Sequence, residues 1–198
     1  MSENNFKKPI KIGMISLGCN KNQVDGEIML SMLKENGFEI CPDQYSCDVI
    51  IVNTCGFIES AKQESIENIL ECCSMKEEQQ LKLVVVTGCL AERYKEELCD
   101  LIPEADVVLG IGKNTDIVNA INNALNGQKV AEFGEKTDLP LEGSRLLANA
   151  PYYAYLKIAE GCDNFCTYCA IPSIRGRFRS RTMESILEEA KELAKCGV

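Results

Sequence analysis

Residues 161–169 read GCDNFCTYC, which sets Cys162, Cys166 and Cys169 in a C-x-x-x-C-x-x-C run. Three thiolates at this spacing suit a [4Fe–4S] cubane with one iron left without a protein ligand. Four cysteines would close the metal off, whereas an open iron can bind a small molecule. Three more cysteines offer the same chemistry from farther apart. Cys19, Cys55 and Cys89 occur in the contexts SLGC, NTCG and TGCL, each one or two residues past an apolar run.

Those runs have to position the thiols. Residues 10–17 (IKIGMISL), 48–53 (DVIIVN), 83–87 (LVVVT) and 106–110 (DVVLG) read as buried parallel strands, and 38–41 as a short one stopped by Pro42. Helical patterns alternate with them: Gln23 to Asn36, closed by Gly37; Ser60 to Met75; Ala91 to Cys99; and one capped by Asn114 or Thr115 that ends before Gly127. A last short strand is expected near 130–133. Alternating βα units predict an α/β fold with a doubly wound parallel sheet. All C-terminal strand ends then share one edge, where open α/β sheets bind ligands. In a flavodoxin-like order 2-1-3-4-5, the strands before Cys19, Cys55 and Cys89 are neighbours. At ~4.8 Å per strand the outer two thiols start roughly 10 Å apart, so inward-bending loops close them on one cluster.

Residues 134–151 break the βα pattern and read as a linker between a first domain (9–133) and the start of a second (152–198). Tyr152 to Ala159 alternates like a strand and leads into the second cysteine run. Residues 170–181 read as a loop, and Thr182 starts a helix with a T-x-x-S capping pattern. A single strand–loop–helix unit cannot bury its own core, so the second domain reads as truncated after its first βα unit.

Composition narrows the chemistry. The 198 residues include twelve cysteines and no histidine. This removes Ser-His and Cys-His nucleophiles, H-E-x-x-H zinc sites and any imidazole base, and leaves thiolate or carboxylate to hold metal. The start, MSENNFKKPIKIG, lacks an apolar h-region, so a cytoplasmic protein with reduced thiols is expected rather than a disulfide framework. No apolar run approaches the ~18–20 residues of a membrane helix. The net charge is −9. Residues 151–198 carry seven basic and six acidic residues, so residues 1–150 hold the acidic excess. Such a surface is a poor partner for phosphate backbones, and no direct nucleic-acid binding by these residues is expected.

Other features read more plainly. Cys41, Cys47, Cys72, Cys73, Cys99 and Cys196 are read as small buried hydrophobes. The alternating Arg175, Arg177, Arg179 and Arg181, if extended, lie on one face and can meet a carboxylate. Gly110 to Thr115 (GIGKNT) lacks the first glycine and the Ser/Thr of a P-loop.

The run GCDNFCTYC resembles the signature of the radical S-adenosylmethionine (SAM) enzymes. With three upstream strand-end cysteines, the chain resembles the radical SAM methylthiotransferases. SLGCNKNQVDGE (16–27), NTCGFIESAKQES (53–65), GCLAERY (88–94) and EGCDNFCTYCAIPSIRGRFRSR (160–181) are similar to the branch that modifies ribosomal protein S twelve. Gly26 departs from that branch, which usually has serine there.

The resemblance implies two [4Fe–4S] clusters, an auxiliary one on Cys19, Cys55 and Cys89 and a SAM-binding one on Cys162, Cys166 and Cys169. It also implies Tyr168 near the SAM adenine, an electron donor such as flavodoxin or ferredoxin, and methylthiolation at the β-carbon of an aspartate. Most of the radical SAM barrel lies outside these residues, so the chain alone is expected not to turn over. Three other readings stay open: methylthiolation of tRNA adenosine, a non-catalytic iron–sulfur electron carrier, and a zinc module with a remote fourth ligand.

Overall fold

A computed structural model describes residues 8–78, 80–148 and 152–198. Six parallel strands form its main sheet: β1 (Lys11–Ser16), β2 (Glu39–Ile40), β3 (Val49–Thr54), β4 (Leu83–Gly88), β5 (Val107–Leu109) and β6 (Val130–Glu132). Their order is β2-β1-β3-β4-β5-β6, with β1, β3 and β4 adjacent. The register pairs Ser16 with Asn53 and Thr54 with Gly88, so the three strands end nearly level.

Four helices cover the sheet: α1 (Asn20–Glu35), α2 (Glu59–Glu77), α3 (Cys89–Leu101) and α4 (Ile117–Leu125). Strand alternation sorts the core. On β3, Val49 and Ile51 pack with Met29 and Leu33 of α1 and Ile117 and Ile121 of α4. Ile50 and Val52 face the other way, against Ile69 of α2 and Leu90 and Leu98 of α3. Every residue of β3 and β4 is buried, because both of their faces are covered. Gly37 ends α1 at φ +88°, as its position predicts.

The structure departs from the expected elements at five places. α1 and α3 start three and two residues earlier than read, at Asn20 and Cys89, so two of the cysteine motifs open helices. α4 is not capped by Asn114 or Thr115. A 3-10 turn (Ile111–Asp116) precedes it, and Asn114 Oδ1 instead accepts from Thr87 Oγ1 at 2.8 Å. Of the expected strand 152–159, only β7 (Ala159–Glu160) pairs, antiparallel to β8 (Arg179–Ser180); a strand needs a neighbour, and among the described residues β8 is the one beside it. The expected loop 170–181 contains a short helix, α5 (Ile171–Arg175), before β8.

Residues 139–148 run along α1. Leu139 is buried, Leu146 N–H donates to the Glu27 carbonyl (3.1 Å), and Arg145 bonds Glu27 at 2.6 Å. Residues 149–151 of the expected linker lie outside the described residues. The last helix, α6 (Met183–Lys195), starts as the T-x-x-S pattern predicts: the Thr182 hydroxyl accepts from Ser185 N–H at 3.2 Å. Among the described residues no helix is long and apolar enough to cross a membrane.

Candidate metal centre

The adjacent ends of β1, β3 and β4 bring Cys19, Cys55 and Cys89 to one cavity of about 870 Å³. Its remaining wall is largely apolar, including Phe57, Ile58, Ile171 and Ile174. Two glycines let the loops come this close. Gly18 has φ +86°, and a Cβ there would lie 2.7 Å from Cys55 Sγ. Gly88 has φ +96°, and a Cβ would lie 2.4 Å from the Thr54 carbonyl oxygen of β3. Neither position accepts a side chain without moving a neighbour. The Cys55 loop is fixed from α2, where Ser65 Oγ accepts from Cys55 N–H at 2.9 Å.

Cys19 precedes α1 and Cys89 is the first residue of α3. Both residues therefore sit where a chain segment turns from the sheet edge into a helix. Burial pushes the Cys89 thiol up to about 11. Arg175 pulls it back, while Cys19 and Cys55 repel its charge.

A buried ionic network joins this cavity to the second cysteine run. The Arg175 guanidinium, 2% exposed, donates from Nε to Cys89 Sγ (3.4 Å). One terminal nitrogen donates to Asp25 (2.6 Å) and Glu160 (3.0 Å), and the other to Asn22 Oδ1 (3.2 Å). Lys157 also reaches Asp25, at 2.7 Å, and Lys21 reaches Glu160 at 3.3 Å. Burial works against the Arg175 charge, but Asp25, Cys89 and Glu160 outweigh it and shift its pKa further up. Burial likewise disfavours the Glu160 carboxylate, and Arg175, Gly161 N–H and the two lysines bring it below the ordinary range.

Cys162, Cys166 and Cys169 lie on the loop between β7 and α5. Cys169 N–H closes a turn on the Cys166 carbonyl (3.0 Å), and Cys162 N–H donates to the Gly176 carbonyl (3.1 Å). Cys166 is exposed and the other two are half-buried. Phe165 takes φ +46°, and Arg177 lies over its ring at 5.3 Å. Tyr168 is 91% exposed, beside the run but against no wall of the cavity.

The alternating arginines do not share a face. The turn at Gly176 (φ +77°) breaks the extended run after α5. Arg175 goes into the ionic network, Arg177 onto Phe165, and Arg179 to the carbonyls of Lys136, Thr137 and Leu139. Arg181 pairs with Glu189 and Ser185. Of the four, Arg175 and Arg181 meet carboxylates, and these belong to this chain. Of the cysteines read as buried hydrophobes, Cys47, Cys72 and Cys73 are buried, Cys41 and Cys99 are half-buried, and Cys196 at the end of α6 is exposed.

The donor set fits iron–sulfur chemistry. Each group offers three free thiols and no competing imidazole. Among the described residues no trio of Cys, Asp or Glu gathers on a single ion position. A cubane does not ask for that, because each thiolate binds a different iron corner.

Residues 11–110 match the family described as "Uncharacterized protein family UPF0004", and residues 156–198 match the "Radical SAM superfamily". The chain is 53% identical over 190 residues to "Ribosomal protein uS12 methylthiotransferase RimO" of Clostridium perfringens (strain SM101 / Type A), covering 95% of this chain and 42% of that protein. The protein of the same name from Thermoanaerobacter sp. (strain X514) is 52% identical over 188 residues, 94% of this chain and 43% of its own length. That from Desulforamulus reducens is 53% identical over 189 residues, with the same two shares. The chain thus spans about two fifths of the length of the curated relatives it matches. The match over β1 to β5 of its main sheet places it: the chain belongs to the UPF0004 family, and that match is followed by a segment of the radical SAM superfamily.

Proposed function

We propose that this chain is the amino-terminal part of a radical SAM methylthiotransferase that adds a methylthio group to the β-carbon of an aspartate in small-subunit ribosomal protein S twelve. One observation carries the reading. Three strand-end thiols share a cavity, and Arg175, six residues past the C-x-x-x-C-x-x-C run, forms part of that cavity's wall. The names of the relatives agree with it.

In this reading Cys19, Cys55 and Cys89 hold an auxiliary [4Fe–4S] cluster, and Cys162, Cys166 and Cys169 hold a second one that binds SAM. When bound, these groups supply one-electron cleavage of SAM and a sulfur atom for transfer. The chain's own residues do the rest. Gly18 and Gly88 allow the three loops to close. Phe57, Ile58 and Ile174 give the cavity an apolar wall. The network of Asp25, Lys157, Glu160 and Arg175 fixes the two cysteine groups relative to each other. Tyr168, exposed beside the run, stacks on the SAM adenine in this reading. Residues 9–133 form the auxiliary-cluster domain, 134–151 the connection, and 152–198 the start of the radical SAM domain. A flavodoxin or ferredoxin supplies electrons in a reducing cytoplasm.

The test uses the full-length protein, reduced and supplied with SAM, and mass spectrometry of both ribosomal protein S twelve and tRNA. One methylthio group replacing hydrogen on an aspartate of the ribosomal protein is expected. The modification in tRNA and not in the protein contradicts the substrate. No SAM cleavage after reduction contradicts the enzyme.

A further inference from the structure

We propose that Arg175 is a positioning residue that sets how readily the auxiliary cluster accepts an electron, by donating its Nε–H to Cys89 Sγ. The inference rests on the reading that Cys19, Cys55 and Cys89 hold a cluster.

The guanidinium is a rigid planar fork, so fixing two of its corners fixes the third. Asp25 and Glu160 hold one terminal nitrogen, and Asn22 holds the other. Nε is then aimed at Cys89 Sγ, at 3.4 Å. Asn22 and Asp25 both lie on α1, the helix that follows Cys19, while Glu160 lies on β7, two residues before Cys162. The bond to sulfur is therefore set by groups on both sides of the junction. Arg175 is buried, so water does not share the contact, and a low-dielectric setting strengthens it.

A hydrogen bond to a cluster sulfur favours the more negative, reduced state, and such bonds are among the determinants of iron–sulfur potentials. Asp25 and Glu160 do not cancel this effect, because they hold the guanidinium and leave its Nε–H directed at the sulfur. Arg175 thus links the loop of the second cysteine run to the electronic state of the first site. A shift of that loop that withdraws α5 makes the auxiliary cluster harder to reduce.

Arg175→Lys tests this, since it keeps a cation between Asp25 and Glu160 but has no Nε–H. The whole chain is used with Cys162, Cys166 and Cys169 changed to Ala, so that iron reports the auxiliary site alone. After anaerobic reconstitution, the parent is expected to hold about four irons. R175K is expected to hold the same iron but to be at least tenfold harder to reduce, ~59 mV more negative for a one-electron couple. In the parent grown on 15N-arginine, pulsed electron paramagnetic resonance of the reduced cluster is expected to show a 15N coupling that R175K lacks. The labelled parent decides the matter by itself where R175K does not fold. A reduction equilibrium within twofold of the parent, or no 15N coupling in the parent, overturns the proposal. A parent that takes up no iron overturns the cluster reading, and this proposal with it.

Discussion

Asp25→Asn removes one charge from a site that has no spare counter-charge. Asp25 and Glu160 face Lys157 and Arg175, and all four are buried. Asp25 accepts from Lys157 at 2.7 Å and from Arg175 at 2.6 Å. With Asn in its place, two buried cations share the single carboxylate of Glu160. Lys21 adds a third, half-exposed cation to the same carboxylate. Breaking a buried pair by removing one partner costs about 3–5 kcal/mol, because the remaining charge stays desolvated. Asp25→Asn with Lys157→Met restores the balance, and we expect it to recover at least about 2 kcal/mol, less the unpaired Pro140 carbonyl that Lys157 also serves. Urea unfolding followed by circular dichroism at pH 7 measures both variants. Hydrogen exchange at Arg181 N–H, which donates to the Ile158 carbonyl, shows whether the loss is spent on local undocking of β7 and β8. Asp25→Asn within about 1 kcal/mol of the parent with unchanged exchange refutes the reasoning, as does a double variant no better than the single one.

Two further predictions concern the sheet edge. Gly88→Ala puts a Cβ against β3 backbone that cannot turn aside, at a φ,ψ pair (+96°, −163°) that only glycine adopts easily. It should destabilise by about 3–5 kcal/mol in urea unfolding, from backbone strain of about 1–3 kcal/mol plus ladder bonds lost between β3 and β4; a loss under 1 kcal/mol contradicts the close approach. Glu92, buried at the start of α3, accepts from Ile111 N–H (3.2 Å), and burial raises its pKa above the carboxylate norm despite Lys95 and Lys136 nearby. A raised carboxylate binds more protons folded than unfolded, so stability falls as pH rises from the unfolded value near 4.5 to the raised one, and is flat above. The difference in stability between parent and Glu92→Gln should trace that fall; a difference independent of pH between 4 and 7 refutes it.

The strand runs and their order could be read from the sequence because β-branched residues at β3, β4 and β5 are buried on both faces, and β1 adds an apolar run that is buried in part. The shared position of Cys19, Cys55 and Cys89 followed, since one register rule fixes where parallel strands end. The ionic network was hidden. Asp25 and Arg175 are 150 positions apart, and a charged residue in a helix pattern reads as a solvated face. A signal did exist: Asn22, Asp25, Gly26 and Glu27 leave α1 without a clean polar stripe, as expected of a helix covered on its outer side too. The arginine run misled because strict alternation mimics a strand, and Gly176 had to be weighed as a turn. Ser65, which fixes the Cys55 loop, carried no local signal in its helix.

Two cysteine groups, each holding a cluster, make the central claim, and counting iron and acid-labile sulfide after anaerobic reconstitution tests it most directly. The account predicts about eight irons per chain, falling to about four when either Cys19, Cys55 and Cys89 or Cys162, Cys166 and Cys169 are changed to Ala. About four irons in the parent, unaffected by changing Cys19, Cys55 and Cys89, would contradict it.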